Sequence, residues 1–142
     1  MQYNLKMNET HAQVLVDALE IYARLGMGQI EEILEHPDLR TRIWGSRSAL
    51  QEPCRRACKL FIKTVFDLPA NTYYSISSKD IFDSNRVAYD LLQVIQHRLV
   101  WDRAGNPLGR DRKIMFGPIY DDPTHYSTKE PLPSIDRLPS EA

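Results

Sequence analysis

Only two of the 142 residues are cysteine, Cys54 and Cys58, so no disulfide framework can staple this chain and its stability has to come from a packed core. Four apart on one expected helix, they read as two reduced thiols on neighbouring turns, which suits a reducing compartment. With no histidine close by in sequence they supply half a zinc shell at most. Long hydrophobic runs are missing as well. No stretch of about 18 apolar residues exists, and the opening MQYNLKMNET lacks the charged-then-apolar layout of a signal peptide, so a cytoplasmic protein with no membrane association is expected. Excess charge of one sign is absent: the formal net charge is −1 and the pI about 6.4, which excludes a global pull toward nucleic acid or anionic lipid and leaves only local patches.

The familiar catalytic signatures are lacking too. No phosphate-binding glycine loop, dinucleotide fingerprint, metalloprotease helix or nucleophile elbow can be written onto the chain, and the glycines of GMGQ at 26–29 are wrongly spaced for a dinucleotide loop. No catalytic residue, metal site or cofactor is therefore assigned.

What the chain does have is helical periodicity. At 42% hydrophobic, 142 residues can bury a core as one domain. Asn8 or Thr10 offers an N-cap, the latter with Gln13 as capping-box partner. At about 100° per residue, Val14, Leu15, Ala18, Leu19, Ile21, Tyr22 and Leu25 then share one arc. Gly26 and Gly28 together cost about 2 kcal/mol of helix propensity, so the helix bends or restarts there unless tight packing demands glycine. Ile30, Ile33 and Leu34 carry a second piece to His36, Pro37 closes it, and 38–48 reads as a polar connection containing Trp44. Pro53 suits the first turn of a further helix whose buried face is Ala57, Cys58, Phe61, Ile62 and Val65. Leu68-Pro69-Ala70-Asn71 stops it, and 72–82 is irregular. Asp83 or Ser84 caps the last strong helix, ending near Arg103 before Gly105-Asn106-Pro107.

The expected fold is mainly α: a compact domain of three or four helices over residues 1–117, with a short β ribbon pairing 2–7 with 113–116. Five prolines fall between Pro118 and Ala142, so 118–142 is expected as an extended or disordered tail.

Chemistry concentrates in 83–103. Val87, Ala88, Leu91, Val94, Ile95 and Leu99 spread over a wide apolar arc that contains Arg98, whose guanidinium must snorkel or meet a carboxylate. Arg86, Asp90, Gln93, His97 and Trp101 form a stripe on the other side. Such a stripe suits hydrogen bonding and stacking on a nucleotide, with Trp44, Tyr73 and Tyr74 as further aromatic candidates; it suits equally a plain exposed face with an Arg86–Asp90 ion pair. Asp90 and His97 stand two turns apart, about 10 Å, too far for a direct acid–histidine dyad. Charge is also segregated along the chain. Arg40, Arg42, Arg47, Arg55, Arg56, Lys59 and Lys63 follow the acidic Glu31, Glu32, Glu35 and Asp38, so 40–63 is either a phosphate-binding region or a solvated face paired with acids.

The blocks EIYARLGMGQIEEILE at 20–35 and NRVAYDLLQVIQHRLVWD at 85–102 resemble a group of small proteins encoded by tailed phages and prophages. The similarity spans about residues 8–117 and rests on Tyr22, Arg24, Gly28, Gln29 and Glu31 in the first block and Tyr89, Asp90, Gln93, His97, Arg98 and Trp101 in the second. It brings no catalytic residues. What it implies is a protein that acts by binding in the host cytoplasm, as a homo-oligomer, against a host defence protein or a signalling nucleotide. Arg24, Asp90, Gln93, His97, Arg98 and Trp101 are the expected ligand-binding residues. The alternative is a nucleic-acid-binding accessory protein using Arg47, Arg55, Arg56 and Lys59. An enzyme assembled from dispersed Asp90, His97 and Glu31 ranks last.

Overall fold

The computed structural model describes residues 3–44, 48–69, 71–104 and 121–138. Their regular structure is helical: α1 (Glu9–Gly26), α2 (Ile30–Leu34), α3 (Pro37–Trp44), a 3-10 turn at Ser48–Leu50, α4 (Gln51–Phe66) and α5 (Asp83–Arg103). The mainly α class holds. Residues 3–8 carry no strand, and the proposed partner 113–116 lies outside the described residues, so among the described residues there is no ribbon. No described helix is long and apolar enough to cross a membrane.

Asn8 is the cap of α1: its Oδ1 accepts the His11 amide at 2.9 Å, while the Ala12 amide donates to the Asn8 carbonyl at 3.0 Å. The first bond caps one of the N–H groups that a helix start leaves without a partner, and the second is the first bond of the helix itself. The far end closes with equal economy. Gln29 donates to the Arg24 carbonyl at 2.9 Å and Gly28 to that of Leu25 at 3.1 Å, the two bonds of a Schellman turn. That turn needs a left-handed residue, and Gly28 has φ 75°. α2 restarts at once.

Pro37 both ends α2's reach and opens α3, where its missing N–H falls among the groups a helix start leaves unbonded. Segment 37–44 is thus a helix and not the expected polar connection: Arg40 donates to the His36 carbonyl at 2.8 Å and the Thr41 hydroxyl to that of Pro37 at 2.9 Å. Asp67, left-handed at φ 52°, terminates α4. α5 runs over the 21 residues that its sequence signals delimit.

Contacts divide the chain into residues 1–20 with 86–142, and residues 21–85; the expected boundary at 117 lies outside the described residues. In the first unit Ala12, Val16, Leu92, Ile95 and Leu99 form the core, flanked by Leu15, Leu19, Tyr89, Leu91 and Ile135. In the second, Ala23, Met27, Cys58, Ile62 and Ile81 are buried, α2 packs on both α3 and α4, and Tyr74 meets Phe66 edge-on with ring centroids 6.4 Å apart.

Two amphipathic faces are rotated from expectation. On α1 the buried residues are Ala12, Val16 and Ala23, with Leu15 and Leu19 of the expected arc packed at their side, whereas Val14, Ala18, Tyr22 and Leu25 of that arc are exposed. On α4 only Cys58 and Ile62 of the expected face are buried; Ala57, Phe61 and Val65 are exposed. Both helices carry apolar arcs wider than one neighbour can cover, and period alone does not say which half is covered.

Candidate ligand-binding site

The polar stripe on α5 is not an open ligand surface. Asp90 and Trp101 are each 1% exposed and His97 is 8% exposed. Asp90 does not stand as the acid of a solvated Arg86 pair: its two oxygens accept the backbone amides of Tyr126 and Ser127, both at 2.9 Å. One turn on, Gln93 donates from Nε2 to the Thr124 carbonyl at 3.0 Å and accepts the Thr124 amide through Oε1 at 3.3 Å. The carboxylate and amide therefore grip an extended backbone as a neighbouring strand would. The stripe does bind something, and it is the chain's own 121–138 arm.

The rest of that arm follows α5. Tyr126 packs edge-on against Tyr89 with centroids 5.5 Å apart, Ile135 joins the core, and Arg137 comes within 3.9 Å of Asp102. His125 reaches Ser127 Oγ and the Glu130 carbonyl, at 3.0 and 2.8 Å, which closes a small turn of the arm on itself. His97 meets Trp101 edge-on at 6.2 Å, so both rings belong to the interior of this unit. Arg98 solves its problem locally: Nε and Nη2 form a two-pronged bond to Asp102 at 3.0 and 2.8 Å. A fork-to-fork pair of this kind meets the guanidinium's directional demand within one turn of helix. Asp90, Gln93, His97, Arg98 and Trp101 of the expected ligand set thus each have a partner within their own unit.

Arg24 belongs to the other unit, and there a cavity exists. A space of about 400 Å³ is lined by Arg24, Gly28, Gln29, Glu31, Glu32, Ile62, Asn71, Thr72 and Tyr73. The local fold explains why these groups converge. The Schellman turn at Gly28 folds Gln29 back beneath the last turn of α1, so that Arg24 Nη1 donates to Gln29 Oε1 at 2.9 Å. α2 then starts at Ile30, which brings Glu31 and Glu32 into its first turn, where carboxylates are favoured by the helix dipole. Across from them the loop after α4 turns at Asn71, left-handed at φ 63°. That turn is held by the Thr72 hydroxyl on the Pro69 carbonyl at 2.6 Å and by the Tyr74 amide on the Met27 carbonyl at 2.9 Å. Between these two anchors Tyr73 is left 62% exposed.

Glu31 is the unusual member. Its Oε1 is shut from solvent and has no hydrogen-bond partner among the described residues. A carboxylate oxygen stripped of water without replacement is costly, and such groups mark places where a donor belongs. The sequence points to Arg24, Gly28, Gln29 and Glu31 within one block and to Tyr73 as a further aromatic candidate. It offers Asn71 only as a helix stop and Thr72 only as part of an irregular stretch, and the signal that finds them is the glycine pair read as a turn.

The carboxylate also acts on its neighbour. Burial first, then the negative charge of Glu31 and lastly Cys54, push the Cys58 thiol above its ordinary value. Cys58 is buried whereas Cys54 is partly open, and both are free. Because the thiolate is the reactive form, Cys58 should react with a thiol reagent about tenfold or more slowly than Cys54 near neutral pH. Its rate should keep rising well into the alkaline range, and Glu31→Gln should move that rise to lower pH. Mass-resolved labelling across pH checks this, and a Cys58 profile unchanged by Glu31→Gln would contradict it.

No protein-family model, no curated protein and no solved structure matches this chain. The site's chemistry therefore has to be read from its own residues.

The basic segment offers less. Arg55 and Arg56 are exposed and Lys59 is half-buried, while Arg47 lies outside the described residues. Arg56 Nε is 3.5 Å from Glu52 on the next turn, with both side chains largely in solvent, a pair worth only a few tenths of a kcal/mol.

Proposed function

We propose that this chain is a binding protein without catalytic activity that takes a planar polar ligand of the signalling-nucleotide class into the cavity around Arg24, Glu31 and Tyr73. Withholding that ligand would blunt a host defence on behalf of a phage, in the host cytoplasm. The carrying observation is the cavity itself, where a donors-only guanidinium and an acceptor-only carboxylate with one unmatched oxygen share a wall. An aromatic ring, 62% exposed, stands beside them. Hydrogen-bonding groups of both kinds plus a ring face are what a base needs, and about 400 Å³ falls within the range of small-molecule sites.

The uncovered arc of α1 supports the expectation of a homo-oligomer. Val14 and Ala18 are exposed and uncharged, a patch that a second copy can meet with no like-charge repulsion. Nucleic acid held by Arg55, Arg56 and Lys59 has weaker support, since Arg56 shares its charge with Glu52.

The test is calorimetric titration of the full chain with a panel of nucleosides and their mono-, di- and cyclic phosphates. At least one should bind saturably, and Arg24→Ala should weaken it by about tenfold or more, as loss of an anchoring arginine does elsewhere. Absence of heat and of thermal shift across the whole panel would overturn the proposal.

A further inference from the structure

The proposed site says more about its ligand than its size. Resting on the binding reading above, we infer that the cavity of residues 21–85 selects a guanine-type edge, a carbonyl beside two adjacent N–H donors, with Glu31 as the specificity-determining residue.

Selectivity begins at the unmatched oxygen. Glu31 lines the cavity, and its Oε1 is closed off from solvent with no hydrogen-bond partner among the described residues. An ionised carboxylate accepts only, through two oxygens in one plane, and its natural complement is a pair of parallel N–H groups. The terminal torsion of a glutamate is broad and roughly two-fold, so a small rotation presents both oxygens together. Among the common bases, guanine carries two donors side by side on its pairing edge. Adenine and cytosine offer one exocyclic amine next to a bare ring acceptor, which would face a carboxylate oxygen lone pair to lone pair.

The second element is Arg24. It lines the same cavity, oriented by its bond to Gln29 Oε1 at 2.9 Å, and it can only donate. The guanine edge continues past its two donors to a carbonyl, an acceptor, so the base turns an acceptor toward the arginine and donors toward the glutamate. A plain cation, such as an amine, would satisfy Glu31 and Glu32 but be repelled by Arg24. A bare phosphate would satisfy Arg24 but meet two carboxylates. The mixed edge of a neutral base fits all three charges. Tyr73 supplies a face for stacking, and the amide of Asn71 and hydroxyl of Thr72 on the same rim suit a sugar or the remainder of the ligand.

The experiment titrates the full chain with guanosine, inosine and adenosine and with their 5′-monophosphates. Guanosine and its monophosphate should bind about 10- to 100-fold more tightly than the adenine counterparts, the discrimination a bidentate pair to a base edge provides. Inosine, which keeps the ring N–H and lacks the exocyclic amine, should fall between. Glu31→Gln, which is nearly isosteric, should erase the preference while retaining weak binding, because the amide places a donor against a donor. The wild-type ranking of guanosine, inosine and adenosine needs no variant, so poor folding of Glu31→Gln leaves the inference testable. If all three bases bind equally, or adenine binds best, the guanine inference is overturned and the ligand cavity stands. If none binds while another member of the wider panel does, the inference again fails alone. If nothing binds at all, both fall.

Discussion

Replacing Asp90 by alanine should lower the free energy of unfolding by about 3 kcal/mol and release the arm at 121–138 into rapid amide exchange. Asp90 sits in the middle of α5, 1% exposed, and both its oxygens are consumed by backbone amides of Tyr126 and Ser127 at 2.9 Å. Bonds from neutral donors to a charged acceptor contribute about 1.5–3 kcal/mol each, more than twice the neutral kind. Removing the acceptor strands two N–H groups, and Ser127 is itself buried, so water cannot replace the carboxylate while the arm stays in place. The chain then has two options. It keeps the arm and bears two unmatched donors, or lets the arm go and loses the packing of Tyr126 on Tyr89 and of Ile135 on the core.

Asp90→Asn should fall about halfway, since its carbonyl oxygen can serve one amide while its own N–H₂ confronts the other. Gln93→Ala should cost only about 1 kcal/mol, because both its bonds are neutral and largely exposed. Denaturant unfolding gives the ranking, and hydrogen exchange at Tyr126 and Ser127 reports the arm. Wild-type protection of those two amides in Asp90→Ala would show that the carboxylate does not hold them.

The same contact explains what the sequence could and could not reveal. The bounds of α5 were legible because helix starters at 83–84 and a Gly-Asn-Pro stop leave little choice. The amphipathic stripe of Asp90, Gln93, His97 and Trp101 was legible as a stripe too. Its partner was not, because the bond runs over 30 residues to a segment with five prolines between Pro118 and Ala142, and proline-rich composition reads as unbound chain. An extended arm has no periodicity of its own. It takes its order from acceptors elsewhere, and a lone aspartate in a helix does not announce whether it faces water or a returning backbone. α3 was missed for a different reason. Pro37 carries two opposite signals, stop for the helix before and start for the helix after, and only the first was used.

The cavity was legible in pieces. Arg24 and Glu31 stand in one block of the sequence, but nothing in spacing joins them to Asn71, Thr72 and Tyr73 of the loop after α4. What joins them is the turn at Gly28, whose positive φ lets α2 double back so that Arg24 and Gln29 meet. Glycine read as a cost in helix propensity hides this. Read as a licence for a left-handed turn, it predicts a reversal, and hence a place where two helix ends and a loop can enclose a ligand.

At Gly26 propensity competes with packing instead, and Gly26→Ala separates the two sharply because they predict opposite signs. Propensity alone makes alanine at the end of α1 stabilising by up to about 1 kcal/mol. Packing says otherwise: a Cβ at Gly26 would coincide with the side-chain amide of Asn85, overlapping Cγ, Nδ2 and Oδ1. Asn85 is buried, and its Nδ2 donates to the Tyr22 carbonyl at 2.9 Å, so it can yield only by breaking that bond in a place water does not reach. Overpacking of this kind costs about 1–3 kcal/mol and a stranded buried amide about as much again. The net expectation for Gly26→Ala is a loss of about 2–4 kcal/mol, far beyond the propensity gain. Asn85→Ala by itself should cost about 1 kcal/mol, the worth of the bond to Tyr22. The double variant removes the overlapping atoms along with the bond, so it should be more stable than Gly26→Ala despite carrying one substitution more. A coupling of about 1–2 kcal/mol in the four-member cycle establishes that Gly26 is glycine because Asn85 occupies its Cβ position. Additivity to within about 0.5 kcal/mol would return the residue to being an ordinary weak point in a helix end.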